Sequence, residues 1–95
     1  MLEYYKERIL DELKDAVAYM RKAVEYKKHK CGWMFYNLAK DELKHANYLY
    51  KSFQETEKPE TVTDAEYSAM MKAIMDAYSE HMILFENLQK LYKEV

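Results

Sequence analysis

Residues 11–20 read DELKDAVAYM and residues 41–50 read DELKHANYLY; five of the ten positions agree across a separation of thirty residues. Asp-Glu-Leu-Lys alone is an ordinary helical string, so the repeat gains meaning only from where its residues point. Around the first copy, Leu2, Tyr5, Ile9, Leu13, Ala16, Met20, Ala23 and Val24 recur at spacings of three and four, the period of one helical face. Around the second, Phe35, Leu38, Ala39, Ala46, Leu49 and Phe53 do the same. The spacing predicts a helix from Leu2 to Lys28 and another from Trp33 to Glu55.

On a helix advancing about 100° per residue, Glu42 has Phe35, Leu38, Ala39, Ala46, Leu49 and Phe53 as angular neighbours, and His45 is the one polar residue among them. Glu12 is likewise central on its face, among Tyr5, Ile9, Ala16, Tyr19 and Ala23, with Arg8 and Asp15 nearer the edge. The pattern therefore predicts Glu42 and His45 inside the apolar stripe of the second helix. A carboxylate taken out of water costs several kcal/mol unless something compensates. Glu7, Lys14, Glu25, Lys40 and Lys44 lie off these stripes, as solvated charges do.

Between the two helices lies His29-Lys30-Cys31-Gly32. Gly32 is expected to make the turn in a left-handed conformation, and so short a connection makes the helices antiparallel. Glu12 then falls within about one turn of His45. Glu42 and His45, three apart, project in similar directions, so all three side chains can converge at one level of a hairpin.

Pro59 ends the second helix, and Thr63-Asp64-Ala65-Glu66 reads as a capping box for a third. That helix runs nearly to Val95 with a wide stripe of Tyr67, Met71, Ile74, Tyr78, Phe85, Leu88 and Tyr92, flanked by Met70, Ala77, Leu84 and Leu91. One hairpin does not easily cover it, which argues for oligomers. The expected organisation is a single all-α domain over residues 1–95, with a metal-binding hairpin at 1–57 and an oligomerisation helix at 63–95. With 95 residues, a lone chain buries only about 60–65% of its unfolded surface, which again favours association.

Composition narrows the function. One Gly, one Pro, 34% charged residues and a net charge of −2 describe a helical protein without a basic patch, so nucleic acid is not an expected partner. The single cysteine, Cys31, rules out an intrachain disulfide and fits a reducing, cytoplasmic setting. No apolar run approaches the roughly 20 residues of a membrane span, and no signal-peptide pattern precedes the first helix.

Glu12, Glu42 and His45 are half of a known ligand set. Di-iron carboxylate bundles take a Glu from each of two helices and a Glu-x-x-His from each of the other two. On these residues, and over roughly residues 2–55, the chain resembles the ferritin-like superfamily, above all its half-length members, the encapsulated ferritins. The resemblance implies a four-helix bundle completed by dimerisation and two iron ions per dimer held by Glu12, Glu42 and His45. In that site Glu42 would bridge the metals, Glu12 and His45 would be terminal ligands, and Tyr19 would stand just behind them. It also implies oxidation of Fe(II) by O₂ or peroxide, in iron storage or detoxification. Iron or manganese suits carboxylates with one imidazole per metal, and zinc less well. The expected partners are a second copy, or more in a higher homo-oligomer, and an encapsulating shell protein. Lys93-Glu94-Val95 stay within the helix pattern and are not expected to be a targeting tail for a shell. Asp11 can attract iron beside Glu12, but Lys14 carries the opposite sign.

Two other readings stay open. The buried Glu and His residues can be structural, a salt-bridged network of Glu12 and His45 with Arg8 or Asp15 inside a helical interaction module. Alternatively, manganese or zinc can hold a dimer without redox chemistry. Asp15 stands where a full repeat would place a second His, and is read as a surface acid before an auxiliary ligand. His81 is expected as a hydrogen-bonded core histidine, His29 as solvated, Cys31 as a small packed residue, and Trp33 and Tyr36 as contact residues.

Overall fold

The computed structural model describes residues 2–94 and consists of three helices, α1 (Leu2–Glu25), α2 (Lys30–Glu55) and α3 (Asp64–Lys93). The hairpin of α1 and α2 is built on rows repeating every seven residues. Leu2, Ile9, Ala16 and Ala23 are buried on α1, and Gly32, Ala39, Ala46 and Phe53 on α2. Small side chains in the upper half of both rows let the axes approach closely. Larger ones fill the lower half, where Ile9, Leu13, Phe53 and Ile74 are almost wholly enclosed, as is Met20 higher up. Each such side chain contributes about 1.5–3 kcal/mol relative to exposure.

The connection differs from the expected one. α1 ends at Glu25, not Lys28, because the Lys27 amide bonds to the Val24 carbonyl and the His29 amide to the Tyr26 carbonyl, three residues back. α2 starts at Lys30, so Cys31 and Gly32 are helical, and no glycine among the described residues has positive φ. Gly32 is therefore not the left-handed turn residue. Its role is close approach: a Cβ there would meet the Tyr26 carbonyl oxygen at 2.2 Å.

At the far end Thr56 closes α2, its amide bonded to the Phe53 carbonyl and its hydroxyl to Ser52. Pro59 follows in the loop. Thr63 caps α3 as its sequence signals: its hydroxyl oxygen accepts from the Glu66 amide at 3.1 Å and its hydroxyl donates to the Glu66 carboxylate at 3.0 Å. α3 runs parallel to α1, with Ile74 packed beside Leu2, Ile9 and Leu13 and Phe85 beside Ala16, Val17 and Met20. α1 is thus central, with α2 and α3 laid against it.

No Cα of α2 lies within 8 Å of a Cα of α3 among the described residues. The two helices meet through rings, Tyr36 against Tyr92 at 4.5 Å and Tyr50 against Tyr78 at 4.8 Å between centroids. Every residue of the α3 stripe is buried or half-buried by the hairpin, while the flanking Leu84 and Leu91, and Met75 and Ile83 outside the stripe, stay exposed. His81 is half-buried, with its Nδ1 2.7 Å from the Ala77 carbonyl. No helix among the described residues is long and apolar enough to cross a membrane.

Candidate metal centre

Glu12 sits midway along α1, with Glu42 and His45 one turn apart on α2. The antiparallel hairpin brings the three together as their spacing predicts. One ligand atom from each lies within 4.8 Å of the others. His45 Nδ1 is 3.8 Å from Glu12 Oε2 and 3.9 Å from Glu42 Oε1.

The burial is graded, and here the structure corrects the sequence. Glu12 is buried, Glu42 is half-buried and the His45 side chain is 61% exposed. The apolar stripe of α2 is wider than the strip that α1 and α3 cover. His45 lies about 100° around the helix from Ala46, on the uncovered edge. The cluster therefore opens onto a cleft of about 520 Å³ on the surface of the hairpin, rimmed by Tyr4 and Tyr48.

Arg8 precedes Glu12 by one turn, and its Nη2 donates to Glu12 Oε1. Glu12 Oε2 is buried without a hydrogen-bond partner among the described residues. A buried carboxylate oxygen left in this way costs a kcal/mol or more, on the order of a lost hydrogen bond. Glu42 is pushed up from its ordinary value of 4.5 to about 7. The first cause is a hydrogen bond with Glu12, followed by burial and the negative charge of Glu12. Asp15 adds to the rise and His45 opposes it. Two facing carboxylates that cannot both ionise freely share a proton.

This donor set fits a divalent cation. Two carboxylates and an imidazole are the oxygen and nitrogen ligands that suit iron or manganese. A cation would relieve both the orphaned Oε2 and the repulsion that raises Glu42.

The remaining predicted residues fall outside the cluster. Tyr19 is not among the side chains lining the cleft; it stacks on Phe35, with ring centroids 6.2 Å apart. Asp15 is exposed and outside the ligand group, as are His29 and Asp11. Cys31 is half-buried. Tyr36 is buried inside the chain, whereas Trp33 is 61% exposed. Sequence reasoning missed Tyr4 as a rim residue; its signal was a position one turn before Arg8. Comparison with family models, curated proteins and solved structures gives no match for the chain.

Proposed function

We propose that this chain is half of a two-metal centre, and that two copies bring their Glu12, Glu42 and His45 together to bind a pair of Fe(II) ions and oxidise them. The observation that carries the reading is the convergence of these three ligand atoms within 4.8 Å at the mouth of an open cleft, with one carboxylate oxygen of Glu12 buried and unpartnered. One chain supplies three donor atoms, too few to enclose an ion, and leaves two aromatic rings, Tyr4 and Tyr48, exposed beside them. A second copy across a two-fold axis doubles the donors to four carboxylates and two imidazoles, covers the rings, and makes a four-helix bundle from two hairpins.

Fe(II) is the substrate in this reading. Oxidation removes one electron from each of two Fe(II) ions; dioxygen takes the pair with two protons to give hydrogen peroxide, or hydrogen peroxide takes the pair with two protons to give two waters. The residues of the chain hold the ions, keep bulk water from them, and balance their charge with four carboxylates. Iron storage or detoxification is the matching role.

The test is an anaerobic Fe(II) titration of the metal-free protein followed by exposure to air, read by near-ultraviolet absorbance and oligomer size. Saturation near one iron per chain, with oxidation abolished in Glu42→Ala, is the expected result. Absence of binding would overturn it.

The Arg8–Glu12 ion pair favours one second reading, a helical interaction module in which the glutamates are structural and set register. Replacing Glu12 and Glu42 together by Leu separates the two. A module keeps or gains stability and oligomer size; a metal centre loses its ions. Manganese or zinc binding without air oxidation would instead mark a metal-bound dimer with no redox chemistry.

A further inference from the structure

We infer that Arg8 is the resident counter-ion of Glu12, a guanidinium that an incoming divalent cation must displace, so that Arg8 sets the metal affinity of the centre. The inference rests on the reading of Glu12, Glu42 and His45 as metal ligands.

Arg8 lies four residues before Glu12 on the same face of α1, and its Nη2 donates to Glu12 Oε1. The Glu12 side chain is 9% exposed and that of Arg8 42% exposed. The carboxylate is thus fixed in the core while the cation reaches in from solvent. Arg8 also lines the same cleft as the three ligands. A charge-assisted hydrogen bond to a buried carboxylate is among the stronger polar contacts. It occupies Oε1, while Oε2, without a partner, faces His45.

A guanidinium and a divalent ion on one carboxylate repel each other strongly at contact distance in a partly buried site. Binding of the ion therefore expels Arg8. Expulsion is cheap because the side chain is already partly in water and because Asp11, exposed and three residues on, offers the next carboxylate along α1. The arrangement keeps a buried carboxylate compensated in the metal-free chain and lowers affinity for any cation too weakly charged to win the exchange. Arg8 is in this sense a positioning residue, acting through Glu12.

The experiment is anaerobic titration of wild type, Arg8→Gln and Arg8→Lys with Fe(II) alone, paired with melting curves of each protein with and without Fe(II). Arg8→Gln is expected to bind Fe(II) about tenfold more tightly at unchanged stoichiometry, the size of losing one charge-assisted competitor. Its metal-free form melts lower than wild type, and its rise in melting temperature on adding Fe(II) is larger. Arg8→Lys, which keeps the charge and loses the planar fork, is expected between the two. It carries the test alone if Arg8→Gln does not fold. Unchanged or weaker binding in the variants, with wild type still binding Fe(II), overturns the role of Arg8 and leaves the metal centre standing. No binding by any of the three overturns both.

Discussion

His45 Nδ1 lies 3.8 Å from Glu12 Oε2 across the line where α2 packs on α1, joining the most exposed member of the cluster to the most buried. The pair spans the hairpin, so its distance reports the register of the two helices. A slip of one residue on α2 would turn His45 by about 100° and break the group. The register is held elsewhere, by Ala16 and Ala23 clustered with Ala39, by Ile9 and Leu13 clustered with Ala46, and by the tight connection at Gly32.

The metal-free protein should lose stability as pH rises towards neutrality. Glu42 keeps its proton to about 7 in the folded chain and releases it near 4.5 when unfolded. Its contribution is fully present below 4.5 and is lost as pH rises through 7, because the unfolded chain binds fewer protons in that window. Urea midpoints measured from pH 4.5 to 8 check this by difference: wild type falls relative to Glu42→Gln, which has no proton to lose. In the same window Fe(II) binding releases protons, so its affinity rises with pH and flattens above 7.

Gly32→Ala pits helix propensity against space. In an open helix the change stabilises by about 1 kcal/mol. Here the new Cβ meets the Tyr26 carbonyl oxygen at 2.2 Å, and backbone cannot give way as a flexible side chain does. The expected result is net destabilisation of about 1–3 kcal/mol, measured as a lower urea midpoint. A gain in stability would contradict the close approach.

Thr63→Ala removes the hydroxyl that accepts from the Glu66 amide. The loss should be about 1 kcal/mol, equivalent to about 4–8 °C in melting temperature for a domain of this size. Thr63→Ser, which keeps the oxygen, should recover most of it.

Tyr48 tests the shared centre without touching a ligand. Its side chain is 73% exposed in the single chain, so Tyr48→Ser should leave the melting of the isolated fold within about 0.5 kcal/mol. If a second copy covers the cleft, the same change weakens self-association by about tenfold or more, as loss of a buried aromatic anchor does. Analytical ultracentrifugation of wild type and variant decides it, and an unchanged association constant would count against the proposed interface.

The helices and the cluster were legible in the sequence because both follow from periodicity. Glu12, Glu42 and His45 converge since the spacing within α2 is three residues and the short connection dictates an antiparallel hairpin. Thr63 announced its cap because the capping box is local. What was hidden depended on neighbours. The exposure of His45 follows from how narrow a strip α1 covers, which no single-helix projection contains. Gly32 looked like a turn residue because glycine has two uses, freedom of φ and absence of a side chain, and only packing tells them apart. The approach of Arg8 to Glu12 was one of two partners that the helix surface allowed, and the choice between Arg8 and Asp15 was made by charge. Tyr19 was placed near the ligands by resemblance, and in the single chain it is engaged with Phe35.

The layer of tyrosines between α2 and α3 has a mechanical consequence. Where helices interlock backbone to backbone, a small shift of one drags the other. Here Tyr36 and Tyr92, and Tyr50 and Tyr78, meet as tilted rings, and ring pairs of this kind hold over a range of offsets at little energetic difference. Among the described residues α2 and α3 are thus joined by side chains alone, these rings together with the Gln89 amide that donates to the Tyr36 hydroxyl, while each keeps its backbone contact with α1.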